Sequence, residues 1–272
     1  MLIDKKIYKN SLCDLWHEVF GDDYSFIELI FKKQYEKSIL CFAHIADGKA
    51  VSAFYLIENT LKLEGDSYNG YYLYAAATLP GYRKEGLMSE LIKEALAYCR
   101  AKGIDFVSLV PSEDSLYAYY SRFGFCKGMY RNVSKKSGSL SLVNDKAEKL
   151  NLNEILEIRN KYEGNIISFS ADSFGYALDC LKDSGFEFIR VSDYSYLLFS
   201  QEDDFAEFLS DKDNFDDNLN KCRELVNTVT SPYFLEGYIE NDCSAYGMIF
   251  PINSSLKREW NFTDIYMNIA LD

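Results

Sequence analysis

Histidine is nearly absent from this sequence, which contains only His17 and His44 among 272 residues. Such a shortage disfavours a histidine-rich zinc site and a serine–histidine catalytic triad. The seven cysteines include no Cys-x-x-Cys pair and their number is odd, so we expect reduced thiols and a cytoplasmic protein. The N-terminal stretch "MLIDKKIYKN" has no apolar signal core, and no apolar run approaches the length of a membrane span.

An excess of positive charge is also lacking, because the formal net charge is -13. Electrostatics therefore disfavour a nucleic-acid partner. Residues 1–138 hold 18 Lys+Arg against 17 Asp+Glu, whereas residues 139–272 hold 11 against 25. The acidic second half is either a solvated surface or a wall that attracts a cation.

The length favours two domains, and the composition, with 48% hydrophobic and 26% charged residues, is that of a globular protein with a real core. The stretch "KKSGSLSLVNDK" is enriched in Ser, Gly and Lys, so we place the domain boundary there. The predicted domains are residues 1–138 and 139–272.

Hydrophobic periodicity and turn residues predict the elements of the first half. Two helices flank Gly21-Asp22-Asp23, and two strands flank Asp47-Gly48, a strong hairpin signal. The remaining stretches are, in order, a strand "YNGYYLYAAATLP", a helix that follows Gly86 and is closed by Lys102-Gly103, a buried strand "IDFVSLVP", a short helix "SEDSLYAYYSRFGF" and a strand "FCKGMYRNVS".

The second half reads as another α/β or α+β unit. Its predicted elements are helices at about 151–162 and 171–184, strands "FEFIRVSD" and "YSYLLFSQ", helices at about 203–210 and 214–228, and strands near 235–251 and 265–271.

The loop between the Tyr-rich strand and the following helix is more basic than a plain turn requires. Arg83 and Lys84 precede Glu85 and Gly86, and the helical pattern begins directly afterwards. The first turn of a helix has unpaired backbone N–H groups and a positive dipole end, which together bind phosphate. Gly86 would let the backbone approach an anion closely. This loop is therefore either a solvated turn or an anion-binding site.

Two motifs resemble signatures of the GNAT superfamily of N-acetyltransferases. The first signature, R/Q-x-x-G-x-G/A after a strand, reads here Arg83-Lys84-Glu85-Gly86-Leu87-Met88, with Met88 in place of the last small residue. The second, a helix ending in a pattern like "lYeklGF", reads here Tyr119-Tyr120-Ser121-Arg122-Phe123-Gly124-Phe125. The resemblance covers residues 1 to 134. It implies an α/β fold with a mixed sheet, and the second half looks like a degenerate second GNAT-like domain.

The resemblance also implies which residues bind acetyl-CoA. The backbones of Ala76, Ala77 and Thr78 would hydrogen-bond the pantetheine. The pyrophosphate would lie on the loop and the first helical turn, formed by Arg83, Lys84, Glu85, Gly86, Leu87, Met88 and Ser89. Ser115 is a further candidate for a cofactor contact.

Tyr120 matches the family tyrosine near the acetyl-CoA sulfur, where a phenol can protonate the leaving thiolate. The alternative is a core tyrosine, because Tyr120 lies on the apolar face of its helix. Tyr117 and Tyr119 are expected to pack or to line the cleft. No motif singles out a base for the acceptor amine, and the candidates by position are Glu18, Asp22, Asp23 and Glu113, each of which could equally be a solvated charge.

The sequence therefore predicts an acetyl-CoA-dependent N-acetyltransferase that acts on a primary amine of a small molecule or peptide. A non-catalytic acyl-CoA-binding regulator or scaffold is the alternative. We expect no metal, no nucleic acid and no membrane partner. The second half would line the acceptor side without a cofactor of its own, and its charge favours a cationic acceptor.

Overall fold

The helices follow the predicted order closely. The computed structural model describes residues 1–131, 141–142, 147–162, 164–200, 206–211, 213–227, 235–236, 244–254, 256 and 265–267. The α-helices in this part of the chain are α1 (Lys9–Phe20), α2 (Tyr24–Ile27), α3 (Leu87–Ala101), α4 (Asp114–Ser121), α5 (Leu152–Lys161), α6 (Ala171–Asp183) and α7 (Phe215–Leu225).

The strands are short at the chain start and long in the central hairpin. They are β1 (Leu2–Ile3), β2 (Ile39–Ala46), β3 (Lys49–Leu63), β4 (Asp66–Thr78), β5 (Phe106–Leu109), β6 (Cys126–Arg131), β7 (Ser141–Leu142), β8 (Ile166–Phe169), β9 (Glu187–Ser192), β10 (Ser195–Phe199), β11 (Ala206–Ser210), β12 (Val226–Asn227), β13 (Leu235–Glu236), β14 (Ser244–Pro251) and β15 (Tyr266–Met267).

A mixed sheet organises the molecule. Over the described residues it has nine strands, in the order β1-β2-β3-β4-β5-β14-β6, with β8 paired to the far end of β3 and β15 paired to β8. Helices α3 and α4 pack on one face of the sheet, where Leu91, Leu96 and Tyr120 join a buried cluster. Helices α1, α5 and α6 pack on the other face, where Trp16 and Tyr176 belong to the largest cluster.

The second half of the chain contributes a strand to the sheet of the first half. Strand β14 runs antiparallel to β5 on one side and antiparallel to β6 on the other, so it lies between them. Strand β8 likewise pairs with Asn59–Lys62 of β3. The two halves therefore share one sheet. The assignment of residues 139–272 as a separate, degenerate GNAT-like domain stays a prediction.

Strands β4 and β5 are paired over only a short distance. Their parallel ladder joins Gly70, Tyr71 and Tyr72 to β5, after which β5 pairs only with β14. Strand β4 continues to Thr78 and keeps β3 on its other edge. No strand among the described residues pairs with the free edge of β4 from Leu73 to Thr78. A notch therefore opens in the sheet between β4 and β5.

Local sequence explains the elements around this notch. Helix α1 buries Leu12, Leu15 and Trp16 and ends at Gly21, which has φ of 82° and whose N–H bonds the His17 carbonyl. The predicted second helix is only one turn of α-helix followed by a 3-10 turn, Glu28–Phe31. The four residues of β5 are all buried, as the near-continuous apolar run predicts.

One predicted helix of the second half is wrong. Residues 206–210 form β11, which pairs antiparallel with β10, instead of a helix at 203–210. Phe208 packs in one buried cluster and Leu209 in another, on opposite faces of the strand. Pairing with β10 and burial on both faces therefore decide the conformation here, against the local helical pattern. Residues 201–205 lie outside the described part of the chain.

Several predicted features fall wholly or partly outside the described residues. Of the predicted linker, residues 135–146, the structure describes only Ser141–Leu142, which pairs with β12. In the part of the chain that is described, none of the helices has the length and hydrophobicity needed to cross a bilayer. The six described cysteines are free thiols, and of these Cys126 is exposed.

Candidate active site

The free edge of β4 contains a bulge at the notch. Ala53 pairs with Ala77 and Tyr55 with Tyr74, so Ala75 and Ala76 face the single residue Phe54. Ala75 takes the left-handed conformation with φ of 51°, which is unusual for alanine. A bulge of this kind takes backbone groups out of the ladder and re-aims them. The backbone near Ala76 is thereby available to a ligand in the notch.

The strand leads through a 3-10 turn, Pro80–Tyr82, into the basic loop. The Arg83 side chain returns to the end of the strand, where its Nε donates to the Thr78 carbonyl oxygen at 3.1 Å. Lys84 is held at φ of 68°. Both side chains are exposed, and neither forms an ion pair with a described residue. The loop therefore presents two exposed cations, next to Glu85, beside the start of α3.

Helix α3 begins without a side-chain cap. Its N-cap residue, Gly86, has φ of 87°, and the first backbone bond of the helix runs from the Glu90 N–H to the Gly86 carbonyl. The N–H groups of Leu87, Met88 and Ser89 consequently have no partner within the helix. A Cβ on Gly86 would meet nothing within 4 Å. The space over the helix end is therefore open to an anion.

A surface pocket of about 270 Å³ lies over this helix end. Seven of the predicted cofactor residues line it, namely Thr78, Arg83, Lys84, Gly86, Leu87, Met88 and Ser89, together with Tyr82 and Tyr119. The predicted residues Ala76, Ala77, Glu85 and Ser115 do not line it. Ala76 and Ala77 pack against the core, which leaves their backbones as the groups that could face a ligand.

Helix α4 closes the pocket on the side opposite the loop. The hydroxyls of Tyr119 and Ser89 are 3.1 Å apart, which ties α4 to the first turn of α3. The helix is followed by Gly124, whose φ is 98° and whose missing Cβ would come within 2.9 Å of the Phe250 ring. The glycine of the second signature thus lets β14 of the second half pack under α4.

Tyr120 is buried beneath the pocket wall, with 6% of its surface exposed. Its ring packs edge-on against Tyr119 and Phe125. Burial, with a smaller contribution from Tyr119, raises the pKa of Tyr120 to about 12. No hydrogen bond joins its hydroxyl to another described residue. The phenol therefore keeps its proton at neutral pH and is available as a donor.

Two predicted residues at the start of α4 are occupied with each other. Ser115 Oγ donates to the Glu113 carboxylate, and both side chains are exposed. This hydrogen bond gives Ser115 a local role at the start of α4. It also engages Glu113, one of the four candidate bases. The assignment of Ser115 to the cofactor stays a prediction.

Asp22 is the candidate base that the structure connects to the notch. Its Oδ2 accepts from Trp16 Nε1 at 2.7 Å, and the Trp16 ring packs edge-on against Tyr74 of β4 with centroids 5.4 Å apart. Asp22 is half-buried, whereas the neighbouring candidates Glu18 and Asp23 are exposed. Trp16 thus links a half-buried carboxylate to the side chain of Tyr74, a residue of β4 beside the notch.

Sequence reasoning did not select Tyr82 or connect Asp22 with Trp16. In the sequence Tyr82 follows Pro-Gly, as many turn residues do, and only the folded turn brings its side chain to the pocket.

The described residues contain no group of three or more His, Cys, Asp or Glu side chains arranged to hold a metal ion.

Residues 6–128 match the family model of the acetyltransferase (GNAT) domain. The mixed α/β sheet, with an open helix end after β4, agrees with the GNAT fold. That match covers the notch, the basic loop, α3 and α4. No curated protein matches the chain.

Solved structures with this fold extend over both halves of the chain. A conserved protein of unknown function from Enterococcus faecalis V583 superposes with a TM-score of 0.65 at 13% identity, covering 93% of this chain and 72% of that one. Eis1 from Mycobacterium abscessus gives 0.63 at 10% identity, covering 93% and 73%. A GCN5-related N-acetyltransferase from Kribbella flavida gives 0.61 at 11%, covering 93% and 72%. Identities this low establish the fold alone.

Proposed function

We propose that this protein is an acetyl-CoA-dependent N-acetyltransferase that acetylates a primary amine of a small molecule or peptide. One observation carries the proposal: the free, bulged edge of β4 is followed, through one turn and the basic loop, by the open N-terminus of α3. An extended chain with amide groups, followed by a diphosphate, fits these two features in that order. Acetyl-CoA has this arrangement.

Different groups of the chain are proposed to bind different parts of acetyl-CoA. Backbone groups of residues 76–78 hydrogen-bond the pantetheine amides, as an additional strand would. The N–H groups of Leu87, Met88 and Ser89 bind the diphosphate, with Arg83 and Lys84 supplying charge. The N–H groups at the bulge are the candidates to hydrogen-bond the thioester carbonyl, where negative charge develops.

The reaction requires three proton movements, two away from the amine nitrogen and one to the sulfur. The amine nitrogen attacks the thioester carbon, the carbon–sulfur bond breaks, and the sulfur leaves with the bonding electrons and takes up a proton. The nitrogen must lose one proton before attack and another as the amide forms. Tyr120 is proposed as the donor to sulfur, and Asp22 as the acceptor from nitrogen, directly or through water.

Asp22→Asn should lower kcat roughly 10²-fold, the usual size of an acid–base contribution. The asparagine carbonyl can still accept from Trp16 Nε1, so packing is preserved while the proton acceptor is lost. Steady-state kinetics with a saturating amine measure the effect. Asp23→Asn, one residue away and exposed, is the matched control and should keep wild-type turnover. Equal rates for wild type and Asp22→Asn would remove Asp22 from this role.

The second half is proposed to wall the acceptor side and to bind no CoA. In support, β14 lies beside β5 and α6 packs close to Tyr74, so this half borders the notch. Calorimetric titration with acetyl-CoA should give one site per chain. A stoichiometry of two would contradict this assignment.

The acceptor is proposed to be cationic. Asp14, Glu18, Asp22 and Asp23 lie close together on α1 and the following turn, and none forms an ion pair with a described residue. By contrast, several described carboxylates of the second half are already paired, for example Glu148 and Glu154 with Arg190. The unpaired carboxylates near Asp22 would raise the local concentration of an ammonium group.

Salt tests the cationic acceptor, because exposed charges act over about 8 Å at about 0.15 M ionic strength. For the best amine of a panel, rising salt should increase KM and leave kcat nearly unchanged. A neutral or anionic best acceptor, or a KM that ignores salt, would contradict the proposal.

A non-catalytic acyl-CoA-binding protein is the alternative. It would bind the cofactor in the same way and release no thiol with any amine. The proposed donor role of Tyr120 distinguishes the two, because a binding protein needs no hydroxyl there. The free thiols of the described cysteines support the proposed cytoplasmic location.

A further inference from the structure

An arginine outside the predicted cofactor set stands behind the pocket wall. The guanidinium carbon of Arg122 lies 5.0 Å from the centroid of the Tyr119 ring. Tyr119 is the pocket wall opposite the basic loop, and its hydroxyl contacts Ser89 in the first turn of α3. The Arg122 side chain is exposed and forms no ion pair within the described residues. It is therefore an exposed cation without an ion-pair partner in the described part of the chain, one aromatic ring away from the pocket.

We infer that Arg122 binds the 3′-phosphate of the CoA ribose. This inference rests on the proposed function, because CoA carries that third phosphate beyond its diphosphate. The open end of α3, with Arg83 and Lys84, accounts for the diphosphate. The 3′-phosphate extends beyond the diphosphate, and Arg122 offers a cation next to the lining residue Tyr119.

The position of the Arg122 guanidinium over the Tyr119 ring suits phosphate binding. An arginine guanidinium is planar, so it can lie on an aromatic ring and still offer its edge N–H groups to phosphate oxygens in pairs.

Other nearby cations fit less well. Arg83 already donates its Nε to the Thr78 carbonyl. Lys127 lies over Tyr117, which does not line the pocket and whose hydroxyl donates to the Ala245 carbonyl of β14. Arg100 is stacked in a similar way on Phe250, but it lies in the last turn of α3. At 1.5 Å per residue, that turn is roughly 20 Å from the pocket.

The test compares CoA with 3′-dephospho-CoA by calorimetric titration. Wild type should bind CoA roughly tenfold more tightly, as expected for one charge-assisted contact. Arg122→Ala should bind both ligands with the affinity that wild type has for 3′-dephospho-CoA. Arg100→Ala removes a stacked cation at the other end of α3 and should keep the tenfold preference.

Each other outcome overturns the inference. Equal affinities of wild type for the two ligands would show that the 3′-phosphate is not recognised, while acetyl-CoA binding itself would leave the proposed function intact. If Arg122→Ala weakened both ligands by the same factor, Arg122 would act by holding Tyr119 in place. If wild type bound neither ligand, the proposed function would fail and this inference with it.

Discussion

Gly86→Glu abolishes binding of acetyl-CoA if the diphosphate lies on the first turn of α3. The substitution puts a carboxylate where a second anion must approach, and like charges in contact repel strongly. In the free protein a Cβ at this position meets nothing within 4 Å, so the substitution introduces no clash at the Cβ. Calorimetry would measure the affinity, and thermal unfolding would measure the strain of the left-handed backbone, about 1–2 kcal/mol.

Gly103 provides the matched control for Gly86. It lies beyond the other end of α3 and has φ of 69°, and a Cβ at this position would likewise meet nothing within 4 Å. Gly103→Glu should therefore cost similar stability and leave acetyl-CoA affinity unchanged. If both glutamate variants bound as well as wild type, the diphosphate could not lie on this turn.

Tyr120→Phe lowers kcat roughly 10²-fold or more if the phenol protonates the departing sulfur. The substitution keeps the ring contacts with Tyr119 and Phe125 and removes only the hydroxyl, so acetyl-CoA affinity should change little. Continuous assays of thiol release give kcat, and calorimetry gives the affinity. Tyr71→Phe is the control, since Tyr71 is a buried tyrosine of the same cluster and lies where β4 still pairs with β5, outside the notch.

The raised pKa of Tyr120 fixes the sign of its pH effects. An unfolded tyrosine has a pKa of about 10, whereas burial raises the pKa of Tyr120 to about 12. The donor should therefore remain protonated at any pH below about 10. Above that pH the unfolded chain ionises first, so the stability contributed by this residue is lost as pH rises toward the folded value. If Tyr120→Phe kept wild-type turnover, the role of Tyr120 would be purely structural.

The part of the site that local sequence controls was predictable. Gly86 at the start of an amphipathic helix sets the open helix end, and the helix with its Lys102-Gly103 terminus forms as predicted. The hairpin at Asp47-Gly48 and the buried strand β5 follow in the same way from turn residues and apolar runs. Each of these features depends on residues a few positions apart.

Features that depend on distant pairing were not predictable from one sequence. Nothing in the local pattern of residues 244–251 indicates that β14 lies between β5 and β6. The strand at 206–210 forms because β10 is beside it, against its local pattern. Asp22 acquires its link to the notch only when Trp16 packs against Tyr74, a contact across 58 positions of the chain. These tertiary contacts determine the acceptor side of the site.

The most direct test of acetyl transfer is a single assay of thiol release and product mass. Wild-type protein is mixed with acetyl-CoA and a panel of cationic amines, and Gly86→Glu and Tyr120→Phe are run in parallel. An N-acetyltransferase releases CoA thiol in step with the appearance of one acetylated amine, and both signals are lost in Gly86→Glu and greatly reduced in Tyr120→Phe. Tight binding of acetyl-CoA by wild type with no acetylated amine across the panel would contradict catalysis and favour a binding protein.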